Sequence, residues 1–392
     1  MRSTVPTSFT IPVNIANSLD SRLFAHGIAP CRRGRMSDRV IDRREFLKLA
    51  GLSAVLAACG GATGTPTQSP GASASATAKP TGSITVYSAL NETTNNQFTA
   101  AFKAAYPGSS VDLLSLAAAG DLQTKIIAEK GNPKADVFIG GSSEFHDPLG
   151  KQGLLEAYVS PNASKVGAQF KEATGLWTGW YTGIFGFVMH TDRLNKEVGG
   201  KKPATWDDLL DPAWSKKLVL PDPVKTGGGY IFIATQIFRF NRDEGKAMDY
   251  MKALHKNIAD YIGTSPQAIA LVSQGQYVGA PNWSHDILTE KGKNPGVDLA
   301  VPSDTGFEVG AVSIVKGAKN LPLAKAFVDW VLTPDAGALN VKLSNRGSTL
   351  PEVAPAAGAP TLTTVKLVNY DRQWATDNKT RILQSWQAAV GR

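Results

Sequence analysis

From residue 83 onward, apolar positions follow two alternating rhythms. The runs 84–90, 111–116 and 135–139 are β-branched or aromatic and read as buried strands. Between the first two, Phe98, Phe102 and Tyr106 recur at helical spacing. That helix would open on the capping residues Asn91 to Thr94 and stop at Pro107-Gly108. A second helix is expected over 121–130. Strands alternating with helices predict a parallel sheet covered by helices. The run 177–190 is apolar but broken by Gly179, Gly183 and Gly186, as in a strand that bends or lets other backbone come close. It is expected to leave one lobe for another. Next come a capped short helix at 205–212, a brief strand at 218–220 and a glycine-rich start to a helix over 231–240. Residues 243–258 read as a helix with Met248, Met251 and Leu254 on its core face. Further helices are predicted over 264–274, 323–332 and from Asp371, and strands over 297–301 and 311–315.

The first 82 residues have another pattern. Arg43-Arg44 precede an apolar run that ends at Ala58, too short to span a bilayer, and then Cys59. The order twin arginine, apolar run, Leu56-Ala57-Ala58-Cys59 predicts a twin-arginine lipoprotein signal over 36–58, with Arg43 and Arg44 as the export signal and Cys59 as the lipidated residue. Met36 would give this leader normal proportions, so 1–35 reads as an upstream extension. Residues 60–82 are almost all Gly, Ala, Ser, Thr and Pro and cannot bury a core, so 59–82 is expected to be a lipid-anchored flexible tether.

Charge and composition then exclude several functions. A hydrophobic content of 42% and a charged content of 19% suit a soluble globular protein. The formal charge of +8 sits mostly in residues 1–58, which hold nine Lys/Arg and four Asp/Glu. The remainder carries 32 basic and 29 acidic residues, too balanced for a nucleic-acid partner. Cys31 and Cys59 are the only cysteines. Beyond the tether there is thus no disulfide framework, thiolate zinc site or cysteine nucleophile. The four histidines beyond the tether, His146, His190, His255 and His285, lack His-x-x-x-His spacing, and no Gly-x-Ser-x-Gly elbow occurs. The glycine-rich stretch Lys225-Thr226-Gly227-Gly228-Gly229 has neither P-loop nor dinucleotide spacing. The chain is therefore expected to be no enzyme and to need no cofactor, an exported hydrolase with His285-Asp286 as half of a dyad being the less favoured alternative.

Candidate chemistry concentrates at Asn282-Trp283-Ser284-His285-Asp286. Five different polar groups follow an apolar run, read as a strand end opening into a crevice. Strand ends at Ser88 and at Ser142-Ser143 lead toward helices, where hydroxyls and N–H groups suit an anion or a plain N-cap. Thr226 and Gly227 start another helix of that kind.

In order and spacing, these elements resemble the solute-binding proteins of ABC importers, in the group with ferric-iron, hexose-phosphate and aminoethylphosphonate binders. The resemblance covers residues 83–350. It is densest at Val86-Tyr87-Ser88-Ala89-Leu90, Ala135-Asp136-Val137-Phe138, Thr205-Trp206-Asp207-Asp208-Leu209 and Thr305-Gly306-Phe307-Glu308-Val309-Gly310. It implies a type II periplasmic-binding-protein fold, two doubly wound α/β lobes joined by two crossing strands with the ligand cleft between them. Lobe one would be 83–185 plus 305–350, lobe two 186–304, and 351–392 a C-terminal extension and helix. The ligand-binding candidates are then Ser88, Ala89, Asn91, Ser142, Ser143, Thr226, Gly227, Asn282, Trp283, Ser284, His285, Asp286 and Glu308. Ferric binders usually have adjacent tyrosines near 282–285 and a histidine after the first strand. Here there are none, and Asn91-Glu92 stands in the second place. A metal held by His285, Asp286 and Glu308 is the runner-up. The hexose-phosphate binder resembles this chain in a His-Asp pair followed by a Glu, here His285, Asp286 and Glu308. An aminoethylphosphonate would use the same acids for its amine, and Trp283 with Tyr181 would suit a ring. The implied partners are a small solute and the ABC permease and ATPase subunits. The expected protein is a monomer on the extracytoplasmic face, held to the membrane by its lipid alone.

Overall fold

A computed structural model describes residues 78–116 and 118–392. The expectations for Met36, Arg43, Arg44 and Cys59, and for the tether up to residue 77, lie outside the described residues.

The first stretch alternates as β1 (Gly82–Ser88), α1 (Glu92–Ala105), β2 (Ser109–Ser115), α2 (Ala119–Ala128) and β3 (Val137–Ser142). Asn91 caps α1 by accepting from the Thr94 N–H at 2.9 Å, and Phe98 and Phe102 are buried. Strand β1 lies parallel between β2 and β3, as right-handed strand–helix–strand units require. After α3 (Asp147–Lys151) and β4 (Leu155–Glu156) comes the long strand β5 (Thr178–His190), buried along all but its last residue.

The second stretch contains α4 (Thr191–Glu197), β6 (Leu218–Pro221), α5 (Gly227–Arg239), α6 (Glu244–His255), β7 (Ile258–Ile262), α7 (Ser265–Ser273), β8 (Gly279–Trp283), α8 (Ser284–Lys291) and β9 (Val297–Ala300). The chain returns through β10 (Phe307–Val315), then α9 (Leu321–Val331), α10 (Pro334–Ser344), β11 (Gly347–Ser348) and α11 (Arg372–Val390).

Strand order is β2-β1-β3-β10-β5-β8-β6-β7. Strand β5 joins the two halves. Its first part pairs antiparallel with β10, and its second part, from Phe185, pairs with β8 and β9. One core gathers β1, β3, α1, α9 and α10. Another gathers β6, α5, α6 and the apolar face of α11. The chain thus crosses between halves on β5, on the return into β10, and again between β11 and α11, whose apolar face joins the core of α5 and α6.

Among the elements that differ from the sequence expectation are these three. Residues 282–286 are not one strand end, because β8 stops at Trp283 and Ser284 opens α8. Asp286 then sits in a first helical turn, where a carboxylate suits the helix dipole. The helix expected to reach residue 258 stops at His255. The Asn257 side chain donates to the carbonyls of Leu209 and Asp211, and Ile258 begins a strand beside β6. Helix α10 was not anticipated, since Gly337 and Asn340, both buried, interrupt its apolar face.

Candidate functional site

Four helices present their first residues to one cavity of about 300 Å3. These are Leu90 to Glu92 at α1, Ala118 to Gly120 at α2, Thr226 to Gly228 at α5 and Thr264 to Pro266 at α7. The first turn of any helix leaves N–H groups without intrahelical partners, carrying partial positive charge. Side chains satisfy some of them, since Thr226 accepts from the Gly229 N–H and Thr264 from the Gln267 N–H. Helix α2 has no side-chain cap at all. The start of α5 needs its glycines for space. A methyl group on Gly229 would lie 2.2 Å from the Pro221 carbonyl oxygen, so helix backbone packs directly on the end of β6. Lys225 adds a full positive charge to the same wall.

The other polar groups on the wall are Tyr181, Asp286, Glu308 and Arg346. Tyr181 and Glu308 come from β5 and β10, Asp286 from the first turn of α8, and Arg346 from the loop after α10. The Arg346 guanidinium lies 5.0 Å from the Tyr181 ring centroid, with Nη2 3.9 Å from Asp286 Oδ1. Its Nε and Nη1 are buried without a hydrogen-bond partner. Burial pushes the Glu308 carboxyl up to about 8; Arg346 opposes this, while Asp286 and Glu144 reinforce it. Burial also raises Asp286, again against the pull of Arg346. Near neutral pH the cluster therefore holds one firm cation and one carboxyl group that keeps its proton.

This makes a pH prediction. Glu308 holds its proton up to about pH 8 in the folded chain, against 4.5 unfolded. Its contribution to stability is complete below pH 4.5, declines through the window to pH 8, and is lost above it. The upper bound on that loss is about 5 kcal/mol. Urea unfolding at pH 5, 6.5 and 8 should show wild type losing stability relative to Glu308→Gln as pH rises. Taking the difference between the two cancels the opposite trend of His285. A gap independent of pH would refute the assignment.

Of the thirteen ligand-binding candidates, Ala89, Asn91, Ser142, Thr226, Gly227, Trp283, Asp286 and Glu308 line the cavity. The other five stand behind it. Ser88 donates to Asn95 Oδ1 at 2.6 Å and accepts from the Leu90 N–H. Ser143 is fully buried, its hydroxyl 3.5 Å from Glu144. Asn282 donates to the Ser265 carbonyl and so fixes the start of α7. Ser284 is buried as the first residue of α8. His285 is 1% exposed, nearly parallel to the Trp283 ring, with Nε2 3.5 Å from Asp286 Oδ2. Burial and Arg346 hold its pKa well below 6.5, so it faces Asp286 as a neutral imidazole. Among the described residues no three His, Cys, Asp or Glu side chains are placed to hold a metal ion. Arg346, Thr264 and Ser265 were absent from the sequence candidates. Nothing in the pattern around residues 344–348 distinguishes Arg346 from a surface arginine.

Residues 132–375 match the family model described as bacterial extracellular solute-binding protein. The chain belongs to that family. This solute-binding protein is 32% identical to the periplasmic binding protein AfuA of Actinobacillus pleuropneumoniae, whose structure has exogenous fructose 6-phosphate bound. That match covers 79% of this chain and 98% of AfuA, with a TM-score of 0.73. The structure of the periplasmic binding protein P5PA matches at 30% identity over 79% of this chain and 99% of its own, with a TM-score of 0.72. A Sinorhizobium fredii protein named "Probable ABC transporter periplasmic-binding protein" is 28% identical over 73% of this chain and 80% of its length. The type II periplasmic-binding-protein fold expected from the sequence is therefore the fold of this solute-binding protein. Its function is that of the solute-binding component of an ABC importer, working outside the cytoplasm. These relatives are binding proteins rather than enzymes. None of its described helices is long and apolar enough to cross a membrane.

Proposed function

We propose that this solute-binding protein captures a sugar phosphate or a closely similar phosphorylated polyol. The observation that carries the reading is the meeting of four helix starts and Lys225 with the Tyr181, Asp286, Glu308 and Arg346 cluster around one cavity. Helix N-termini suit a phosphate through N–H groups and dipole. The cluster supplies donors and acceptors in mixed order, which suits hydroxyls. An ammonium group fits less well. Arg346 stands beside both acids, and Glu308 keeps its proton, so little negative charge is left for an amine. The same guanidinium opposes a ferric ion at His285, Asp286 and Glu308. A volume of about 300 Å3 is at the small end of ligand pockets. AfuA, with its bound fructose 6-phosphate, lends the reading support from outside.

In this reading, lobe one is 83–185 plus 305–350 and lobe two 186–304, closing by a rigid-body motion about β5 and the return into β10. The protein would be exported on the Arg43-Arg44 signal, lipidated at Cys59, tethered through 59–82 and monomeric. From there it would deliver solute to its permease and ATPase.

Thermal melting against fructose 6-phosphate, glucose 6-phosphate, aminoethylphosphonate, inorganic phosphate and ferric citrate tests the solute class. A sugar phosphate at 100 times its Kd should add about 2.7 kcal/mol. A shift with ferric citrate or aminoethylphosphonate alone would overturn the reading. For the anchor, Cys59→Ser should move the protein from the membrane fraction to the soluble one. Unchanged fractionation would remove the lipid from the picture.

A further inference from the structure

Helix α11 is fixed to one half of the molecule and reaches the other. Its apolar residues Ala375, Ile382, Trp386 and Val390 lie in the same core as α5 and α6. Arg381 Nη2 donates to Glu244 at the start of α6 at 2.8 Å, and the Tyr230 hydroxyl of α5 donates to the Ala375 carbonyl. The first turns of α11 contact residues that precede β5. Arg372 donates to the Gln169 carbonyl at 3.1 Å and lays its guanidinium 4.8 Å from the Trp177 ring centroid. Asp377 pairs with Lys151.

Lys379 sits between the halves. Its ammonium is 4.5 Å from the ring centroid of Phe145 and 5.3 Å from that of Tyr230. Phe145 is part of the cavity wall and stands against the start of α5, where a methyl on Gly227 would lie 3.0 Å from its ring. Next to Phe145, Glu144 is buried, and Arg372 and Lys379 act on it electrostatically. A cation between two aromatic faces gains most where water is excluded. If the halves part, α11 stays with α5 and α6, and Lys379 keeps Tyr230 but loses Phe145.

We propose that α11 is a latch: Lys379, Arg372 and Asp377 hold the two halves together before solute arrives and thereby set its affinity from outside the cavity. The proposal rests on the reading above only in taking the cavity to close on its solute. Apparent affinity is intrinsic affinity scaled by the fraction of molecules already competent to bind. Contacts that favour the closed arrangement therefore strengthen binding without touching the solute.

The test measures the two effects separately in the full chain. In a Cys31→Ser, Cys59→Ser background, spin labels at Lys103→Cys on α1 and Lys252→Cys on α6, both exposed, report the distance between halves without solute. Calorimetric titration with fructose 6-phosphate reports affinity. Lys379→Met combined with Arg372→Met should lengthen the solute-free distance and weaken binding about tenfold. Lys379→Arg alone should behave as wild type, because a guanidinium also lies over aromatic faces. An unchanged solute-free distance in the double variant overturns the latch, whatever the titration gives. A lengthened distance in a protein whose unsubstituted form ignores fructose 6-phosphate keeps the latch and overturns the sugar-phosphate reading. If the double variant loses its folded circular-dichroism signal, Lys151→Ala with Asp377→Ala repeats the test at an exposed pair. A smaller lengthening is expected there, and none would overturn the latch.

Discussion

Arg346→Met should destabilise the protein by about 3 kcal/mol at pH 7 and abolish measurable solute binding, because a buried pair broken on one side leaves its partner uncompensated. The partner is Asp286, 3.9 Å from Nη2, with Glu308 beside it. The magnitude is taken at the low end of the known range because Asp286 keeps 28% of its side chain open to water. The pH dependence follows from the acids. Burial raises the Asp286 pKa, and Arg346 opposes that by favouring the carboxylate. The Arg346 contribution shrinks where the acid beside it is protonated in the folded chain. Urea unfolding of wild type and Arg346→Met should differ much less at pH 4 than at pH 7. An equal gap at both would mean that packing of the side chain, not its charge, holds the site. Arg346→Lys should keep part of the stability and little of the binding, since an ammonium cannot lie flat over Tyr181 while reaching Asp286.

Gly310→Ala should have a comparable effect through sterics alone. Gly310 faces Tyr181 across the antiparallel pairing of β10 and β5, and the tyrosine ring lies over the glycine. A methyl group there would be 1.9 Å from Tyr181 Cζ and about as close to two more ring atoms. The ring must leave, taking with it one wall of the cavity and the surface under Arg346. Overpacking of this kind costs about 1–3 kcal/mol, and binding should fall with it. Adding Tyr181→Ala to Gly310→Ala distinguishes the cause. The double variant should melt higher than the sum of the single losses allows, because the clash is gone. Strict additivity would show that the glycine matters for the backbone shift at Gly310/Ala311 instead.

Much of this was visible in the chain. The alternation of 84–90, the Phe98 face and 135–139 is the β1–α1–β3 layer, since burial on both faces leaves β-branched runs that periodicity detects. The glycine-broken run 177–190 is β5, the strand shared by both halves. Eight of the thirteen candidate residues line one cavity, because strand ends and helix starts in such folds open on the same side. What stayed hidden depends on distance in sequence. Arg346 approaches Asp286 across 60 residues with no local pattern to mark it. The five candidates behind the wall share residue types with those on it, and only backbone direction separates them. Ser284 and Asp286 are two positions apart, yet one is buried and the other faces the cavity. A strand reading of 282–286 would have put them on the same face. The helix start at Ser284 was the missing fact.

The four helix starts also bear on how cargo could change over evolutionary time. Main-chain N–H groups are supplied by every residue except proline, so most substitutions leave that part of the pocket intact. On the sugar-phosphate reading proposed above, that part of the site would survive most mutations. In the same reading, choice among solutes falls to the few side chains of Tyr181, Asp286, Glu308 and Arg346. A handful of replacements there could redirect the transporter to a different nutrient while leaving its architecture untouched. Directed evolution of biosensors from this scaffold should therefore begin with those four positions and leave the glycines of α5 alone.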